Sequence, residues 1–205
     1  MSAAPEVLVA GDVVVAASTS QPQGAQQRRI TVLVPAHNEA ATIVQTIASL
    51  RSQTRVPERI LVIADNCTDA TAEIARNADV EVFATIGNSD KKAGGLNQAL
   101  DQLLPNSDDS DLYLMMDADT VLGEQFLAAA EHAFRADPTL GAVGGLFYGD
   151  IGSGLVGLLQ RNEYHRYQRD TIYKGGLPMV LTGTASVFTA KALQAVAGAR
   201  GTVLP

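Results

Sequence analysis

The sequence predicts an α/β fold, a mostly parallel sheet with helices on both faces, and three observations carry that reading. Short apolar runs alternate with stretches of helical spacing along most of the chain, the order that builds parallel sheets. The runs are continuous, as in Ile30-Thr-Val-Leu-Val34 and Leu112-Tyr-Leu-Met-Met116, which suits strands covered on both sides. Each run stops in polar residues, at the carboxyl edge where open α/β sheets hold their ligands.

Residues 1–27 are expected to be a flexible N-terminal segment, ahead of a single domain over 28–205. Val7 to Ala17 is apolar, but Gly11-Asp12 interrupts it and no positive flank precedes it, so it lacks the form of a signal peptide. Ile30 to Pro35 is the first strand, stopped by a proline that cannot continue a central ladder. Ala36 to Glu39 makes a turn. A helix from about Glu39 to Ser52 follows, with Ile43, Ile47 and Leu50 at helical spacing and Asn38 as its N-cap.

Arg59 to Ala64 is the second strand. Thr68 or Asp69 caps a helix over Ala70 to Arg76, and Val80 to Ala84 is a short third strand. The polar stretch Gly87 to Lys92 leads into a helix, Ala93 to Leu104. Leu112 to Met116 is the fourth strand, followed by a helix from about Gly123 to Ala136. Gly141 to Tyr148 reads as a glycine-rich strand. Leu155 to Tyr173 reads as an amphipathic helix whose Arg161, Arg166 and Arg169 fit a solvated face. Leu181 to Thr189 is a last strand, and Ala190 to Ala197 a short helix.

With 46% hydrophobic and 18% charged residues the chain is globular. Its net charge of -7 opposes a nucleic-acid surface, so no nucleic-acid partner is expected. The one cysteine, Cys67, allows no internal disulfide and fits a reducing compartment. No apolar run is long enough to cross a bilayer. The expected location is the cytoplasm, with the inner face of the membrane as an alternative.

In a parallel sheet successive strand ends share one crevice, which gathers Pro35 to Glu39, Asp65 to Asp69 and Asp117 to Asp119. Asp117-Ala-Asp119 offers two hard oxygen ligands suited to Mg²⁺ or Mn²⁺ carrying a diphosphate. A turn or a helix cap is the plainer reading of the same residues. An exposed Asp65 can accept the N–H of uracil or guanine. Amides near Ala36 and the face of His37 can frame a base or ribose, and Lys92 offers an ammonium to phosphate.

Plainer roles stand beside these. His37 suits a backbone-bonded turn, and Asp65 and Asp69 suit capping. One of Lys91 and Lys92 is expected to be solvated, and Gly94-Gly95 suits helix packing as well as a phosphate cradle. Glycine fingerprints for dinucleotides or triphosphates, zinc spacings and a nucleophile elbow are all missing.

Taken together, Val34-Pro-Ala-His-Asn-Glu39, Ala64-Asp-Asn-Cys-Thr-Asp-Ala-Thr71, Lys92-Ala-Gly-Gly-Leu-Asn97, Met116-Asp-Ala-Asp119 and Thr182-Gly-Thr184 resemble family 2 glycosyltransferases. The similarity is greatest to the catalytic domains of inverting cellulose-, chitin- and hyaluronan-type synthases, and it covers about Arg28 to Leu193. It implies a GT-A fold and a UDP- or GDP-sugar donor. Pro35, Ala36, His37, Glu39, Asp65, Lys92 and Asp117 would then surround the nucleotide sugar. Asp119, with Asp117, would hold the metal, and Thr182, Gly183 and Thr184 would lie on the acceptor side.

Ala64 departs from family members that carry two acids there. Nothing after Gly183 is an Asp or Glu, and the chain has no Trp, whereas the family the chain resembles carries an acidic general-base motif, to which the synthases add Gln-x-x-Arg-Trp. The expectation is a transferase domain incomplete on the acceptor side, whose general base is not identified. The acceptor would be a saccharide, lipid or protein hydroxyl. A donor-binding subunit or fragment whose partner or membrane segment supplies the acceptor half is the alternative. A sugar-phosphate nucleotidyltransferase fits less well, because Ile30 to Glu39 lacks a glycine-rich triphosphate loop.

Overall fold

The computed structural model describes residues 6–10, 13–17, 28–145 and 184–205. Within the segment expected to be flexible, β1 (Glu6–Ala10) and β2 (Val13–Ala17) pair antiparallel. Both runs are rich in valine, whose branched side chain favours strands.

The main sheet has six strands. In chain order they are β3 (Ile30–Ala36), β4 (Arg59–Ala64), β5 (Glu81–Ala84), β6 (Leu112–Met116), β7 (Ala142–Gly144) and β8 (Ala185–Thr189). Their spatial order is β5-β4-β3-β6-β8-β7. The first four run parallel, while β8 lies antiparallel between β6 and β7. The mostly parallel expectation holds, with an antiparallel margin on one side.

Helices α1 (Ile43–Arg51), α2 (Thr71–Asn77) and α4 (Phe126–Ala136) cover one face. There Ile30, Val32 and Val34 of β3 meet Ile43, Ile47, Phe126 and Phe134. Helices α3 (Lys91–Leu103) and α5 (Ala190–Arg200) cover the other face, where Leu33, Ile63 and Met115 meet Leu96, Leu100 and Leu193. Alternate residues of each central strand thus feed two cores, which is why these strands read as unbroken apolar runs.

Some boundaries move. Helix α3 starts at Lys91, two residues early, and brings both lysines into its first turn. Helix α5 runs on to Arg200 and stops at Gly201, whose φ of 82° makes a left-handed C-terminal cap. Helices α1 and α4 begin later than expected, at Ile43 and Phe126. The predicted helix over 155–173, the end of the Gly141–Tyr148 strand, and Thr182 and Gly183 lie outside the described residues.

Pro35 does not stop its strand. The carbonyls of Ile30 and Ala36 both accept from the β4 side, from the amides of Glu58 and Asp65. Odd-numbered residues of β3 therefore face β6, whose pairing with β3 ends at Leu33 opposite Met115. The missing N–H of Pro35 falls just past that ladder and costs no hydrogen bond. Beyond Leu33 the pairing of the two central strands stops, and Pro35 and Ala36 on one side and Asp117 on the other line a cleft.

Candidate active site

The cleft has a volume of about 570 Å³ and lies at the carboxyl edge of the parallel strands. Pro35 and Ala36 line it from the end of β3, His37 and Glu39 from the loop that follows, Asp65 from just past β4, Lys92 from α3, and Asp117 and Asp119 from the turn after β6. The crevice expected from strand order therefore forms, and it contains every donor-side residue read from the sequence. Asn66, Asn88, Ser89 and Lys91 also line it. Asn88 and Ser89 sit in a polar loop with no motif spacing, so nothing in the sequence marked them.

Asp117 and Asp119 occupy a turn in which the amide of Thr120 donates to the carbonyl of Asp117. Between them Ala118 is buried, and its carbonyl accepts from the Thr46 hydroxyl at 2.7 Å. Helix α1 and the residues just past its end hold the following loop as well. Ser49 Oγ accepts from the amide of Leu122, while Gln53 accepts from the amide of Leu127 and donates to the carbonyl of Gly123. Thr46, Ser49 and Gln53 are buried polar residues that a search for apolar periodicity passes over.

Asp117 carries an ion pair with Lys92 Nζ, and its amide donates to the carbonyl of Thr184 at 3.0 Å. That bond sets the described end of the Thr-Gly-Thr stretch directly against the carboxylate turn. Asp119 is exposed. Among the described residues no group of three or more His, Cys, Asp or Glu gathers to hold an ion. Two carboxylates fit Mg²⁺ or Mn²⁺, which complete their shells with phosphate and water. Zinc would need three or four protein ligands.

Asp65 is a correction. Expected as an exposed carboxylate, it is only 6% exposed. Its Oδ1 accepts from Thr85 Oγ1 at 2.7 Å, Asn88 Nδ2 at 2.8 Å and Asn66 Nδ2 at 3.2 Å. A buried carboxylate needs such donors to stay in place. It does not cap a helix. His37 Nδ1 lies 2.6 Å from the Asp65 carbonyl, and since a carbonyl only accepts, that nitrogen carries the proton. His37 is thus held by backbone and still lines the cleft.

Asn38 is not an N-cap. It adopts φ of 59°, a conformation asparagine tolerates, and its Oδ1 accepts from the amides of Thr68 and Asp69. Asp69 in turn accepts from the amides of Thr71 and Ala40. It bonds the first residue of α2, whose N-cap position is Ala70 and not the expected Thr68 or Asp69, and it also ties the loop after β3 to the loop after β4. The Thr71 hydroxyl and amide hold the Asp69 carboxyl below the usual carboxylate range. Gly94 and Gly95 let neighbouring side chains approach the helix closely. A Cβ at Gly94 would lie 2.0 Å from Asn88 Oδ1, and one at Gly95 would press on Ile63 and Thr85 at 3.3 Å.

The family profile described as Glycosyl transferase family 2 matches residues 31–197, a span that includes all of these cleft residues. The chain belongs to glycosyl transferase family 2. Among curated relatives, the poly-β-1,6-N-acetyl-D-glucosamine synthase of Staphylococcus aureus is 31% identical over 139 residues, 66% of this chain and 32% of that protein. The Staphylococcus epidermidis synthase is 31% identical over 144 residues, 68% and 33% respectively. The chain thus spans about a third of the length of the curated relatives it matches.

Among solved structures, a mannosyltransferase of Pyrobaculum calidifontis in complex with GDP-mannose and Mn²⁺ superposes with a TM-score of 0.64. It is 21% identical, and the match covers 89% of this chain and 49% of that one. The glucosyl-3-phosphoglycerate synthase of Mycobacterium tuberculosis in complex with UDP gives a TM-score of 0.57 at 19% identity, covering 81% and 58%. The fold of this family 2 chain is accordingly the GT-A type.

Proposed function

We propose that this chain is the donor-binding domain of an inverting glycosyltransferase that takes a uridine or guanosine diphosphate sugar in the cleft. The observation that carries the reading is the meeting of Asp65, Lys92, Asp117 and Asp119 in one cleft at the sheet's carboxyl edge. The nucleotide complexes of the fold neighbours and the polysaccharide synthases among the curated relatives support that donor class.

In this reading Asp65 accepts an N–H of the base, while Pro35, Ala36, His37 and Glu39 frame base and ribose. Lys92, already sharing Asp117, sets its ammonium beside the diphosphate. Asp119 and Asp117 would hold Mg²⁺ or Mn²⁺. When bound, such an ion supplies positive charge to the departing diphosphate. The bond from the anomeric carbon to the diphosphate breaks as the acceptor hydroxyl, a saccharide, lipid or protein oxygen, bonds to the opposite face. A general base takes the hydroxyl proton. Thr184, with Thr182 and Gly183, belongs to the acceptor side.

Calorimetric titration of UDP and GDP, with Mn²⁺ and with a chelator, tests the reading. Binding is expected to need metal, and Asp119→Ala is expected to abolish the metal-dependent part while the protein stays folded by circular dichroism. Equal binding with metal and with chelator would remove the metal role. Failure of every diphosphate to bind would remove the donor site.

A further inference from the structure

The hydrogen bonds of Asp65 are lopsided. Three side chains donate to Oδ1, and Oδ2 receives none of them. Asn88 is central to this arrangement. Its Nδ2 uses one proton on Asp65 and the other on the Lys91 carbonyl at 2.7 Å, while its Oδ1 accepts from the Asp90 amide at 3.1 Å. The amide orientation is therefore dictated by its surroundings, with nitrogen toward two acceptors and oxygen toward a donor. Asn66 likewise donates to Asp65 and to the Asn88 carbonyl at 3.0 Å. Gly94 leaves the room Asn88 occupies, since a Cβ there would lie 2.0 Å from Asn88 Oδ1 and 2.9 Å from Asp90 Cβ.

We propose that Asn88 is a positioning residue for base recognition: with Thr85 and Asn66 it commits Oδ1 of Asp65 to the protein and leaves Oδ2 as the one oxygen offered to the nucleobase. The inference rests on the donor reading of the cleft and narrows it. A carboxylate with both oxygens open grips the adjacent N1–H and N2–H donors of guanine as a pair. A single open oxygen matches the one imide N–H of uracil and leaves the second guanine donor without a partner. An unpaired donor in a partly buried site is a strong basis for discrimination. Asn88 thus sets the preference for a uridine over a guanosine diphosphate without touching the base.

The test is calorimetry of UDP and GDP, each with Mn²⁺, on the wild-type chain and on Asn88→Ala, Thr85→Val and Asn88→Asp. The last variant keeps an acceptor for the Asp90 amide but sets a carboxylate against Asp65. The wild type is expected to favour UDP by at least about tenfold, the discrimination that one lost hydrogen bond supplies. Asn88→Ala and Asn88→Asp are expected to cut that ratio severalfold, Thr85→Val by less, with the Mn²⁺ requirement unchanged in all three. A merely structural Asn88 would weaken both nucleotides by the same factor, and that result overturns the proposal. So does an unchanged ratio, or a wild type that favours GDP. A wild type that binds neither nucleotide overturns the donor reading itself, and this inference with it.

Discussion

Thr46 shows how much of the cleft depends on single polar atoms away from it. Its hydroxyl is 1% exposed with its residue and holds the carbonyl of Ala118, between the two carboxylates. Thr46→Val keeps the shape and strands that carbonyl. The expected cost is about 1–3 kcal/mol, the penalty for a buried group left unsatisfied, read as a lower urea midpoint. Mn²⁺-dependent nucleotide binding should weaken as well, because the turn carrying Asp117 and Asp119 loses its tie to α1. Glu58 sits at the opposite edge of the sheet, accepting from the Ile30 amide at 2.7 Å and pairing with Arg55 at 2.8 Å. Burial pushes its carboxyl up, but the Arg55 guanidinium and the Ile30 amide outweigh burial and hold it below the usual 4.5. A lowered folded pKa means stabilisation that is present above pH 4.5 and lost as pH falls through the folded value. Glu58→Gln is therefore expected to flatten the acid limb of stability against pH, measured by urea melts at a series of pH values below neutrality. An unchanged acid limb would show that Glu58 carries no pH dependence.

Helix α3 joins local sequence to the site most directly. Its pair Gly94-Gly95 weakens a helix by propensity, since glycine is about 1 kcal/mol per residue worse than alanine. The geometry explains the choice, because Asn88 occupies the space a Cβ at Gly94 would take. Gly94→Ala should favour the helix locally yet displace Asn88 from Asp65. The expected result is a fall in the UDP-to-GDP ratio like that of Asn88→Ala, and the double variant should fall no further. Two substitutions acting through one contact are non-additive in this way. Additive losses from Gly94→Ala and Asn88→Ala would show that the glycine acts independently of Asn88. The motif order made Lys92-Ala-Gly-Gly visible in the sequence, but packing and phosphate binding were equally open there. Only the position of a residue six places upstream showed the packing contact.

Across the whole molecule, stability rests on two cores that share the central strands. Leu114 is fully buried at the centre of β6, between β3 and β8. Leu114→Ala is expected to cost about 2–5 kcal/mol by urea denaturation, whereas Val44→Ala, at a residue 55% exposed, should stay within about 0.5 kcal/mol. A similar loss at both positions would contradict the burial pattern. The antiparallel insertion of β8 beside β6 also belongs to this scale. It brings Thr184 to the amide of Asp117 across 67 residues of sequence, and no local pattern signals that contact.

The sequence by itself determined the α/β class, the strands β3 to β6 and the convergence of Pro35 to Glu39, Asp65, Asp117 and Asp119. Those features follow from short-range patterns: unbroken apolar runs, helical spacing, and strand ends that a parallel sheet must align on one edge. Tertiary structure alone decided which side chains hold which. Asn38 left its expected cap to bridge two loops, Asp65 was buried beneath three donors, and Thr46, Ser49 and Gln53 turned inward to support the Asp117–Asp119 loop. Hydrogen-bond partners far apart in sequence carry no periodicity. They are chosen by packing, which brings a buried polar atom to whichever donor or acceptor the folded chain places within reach.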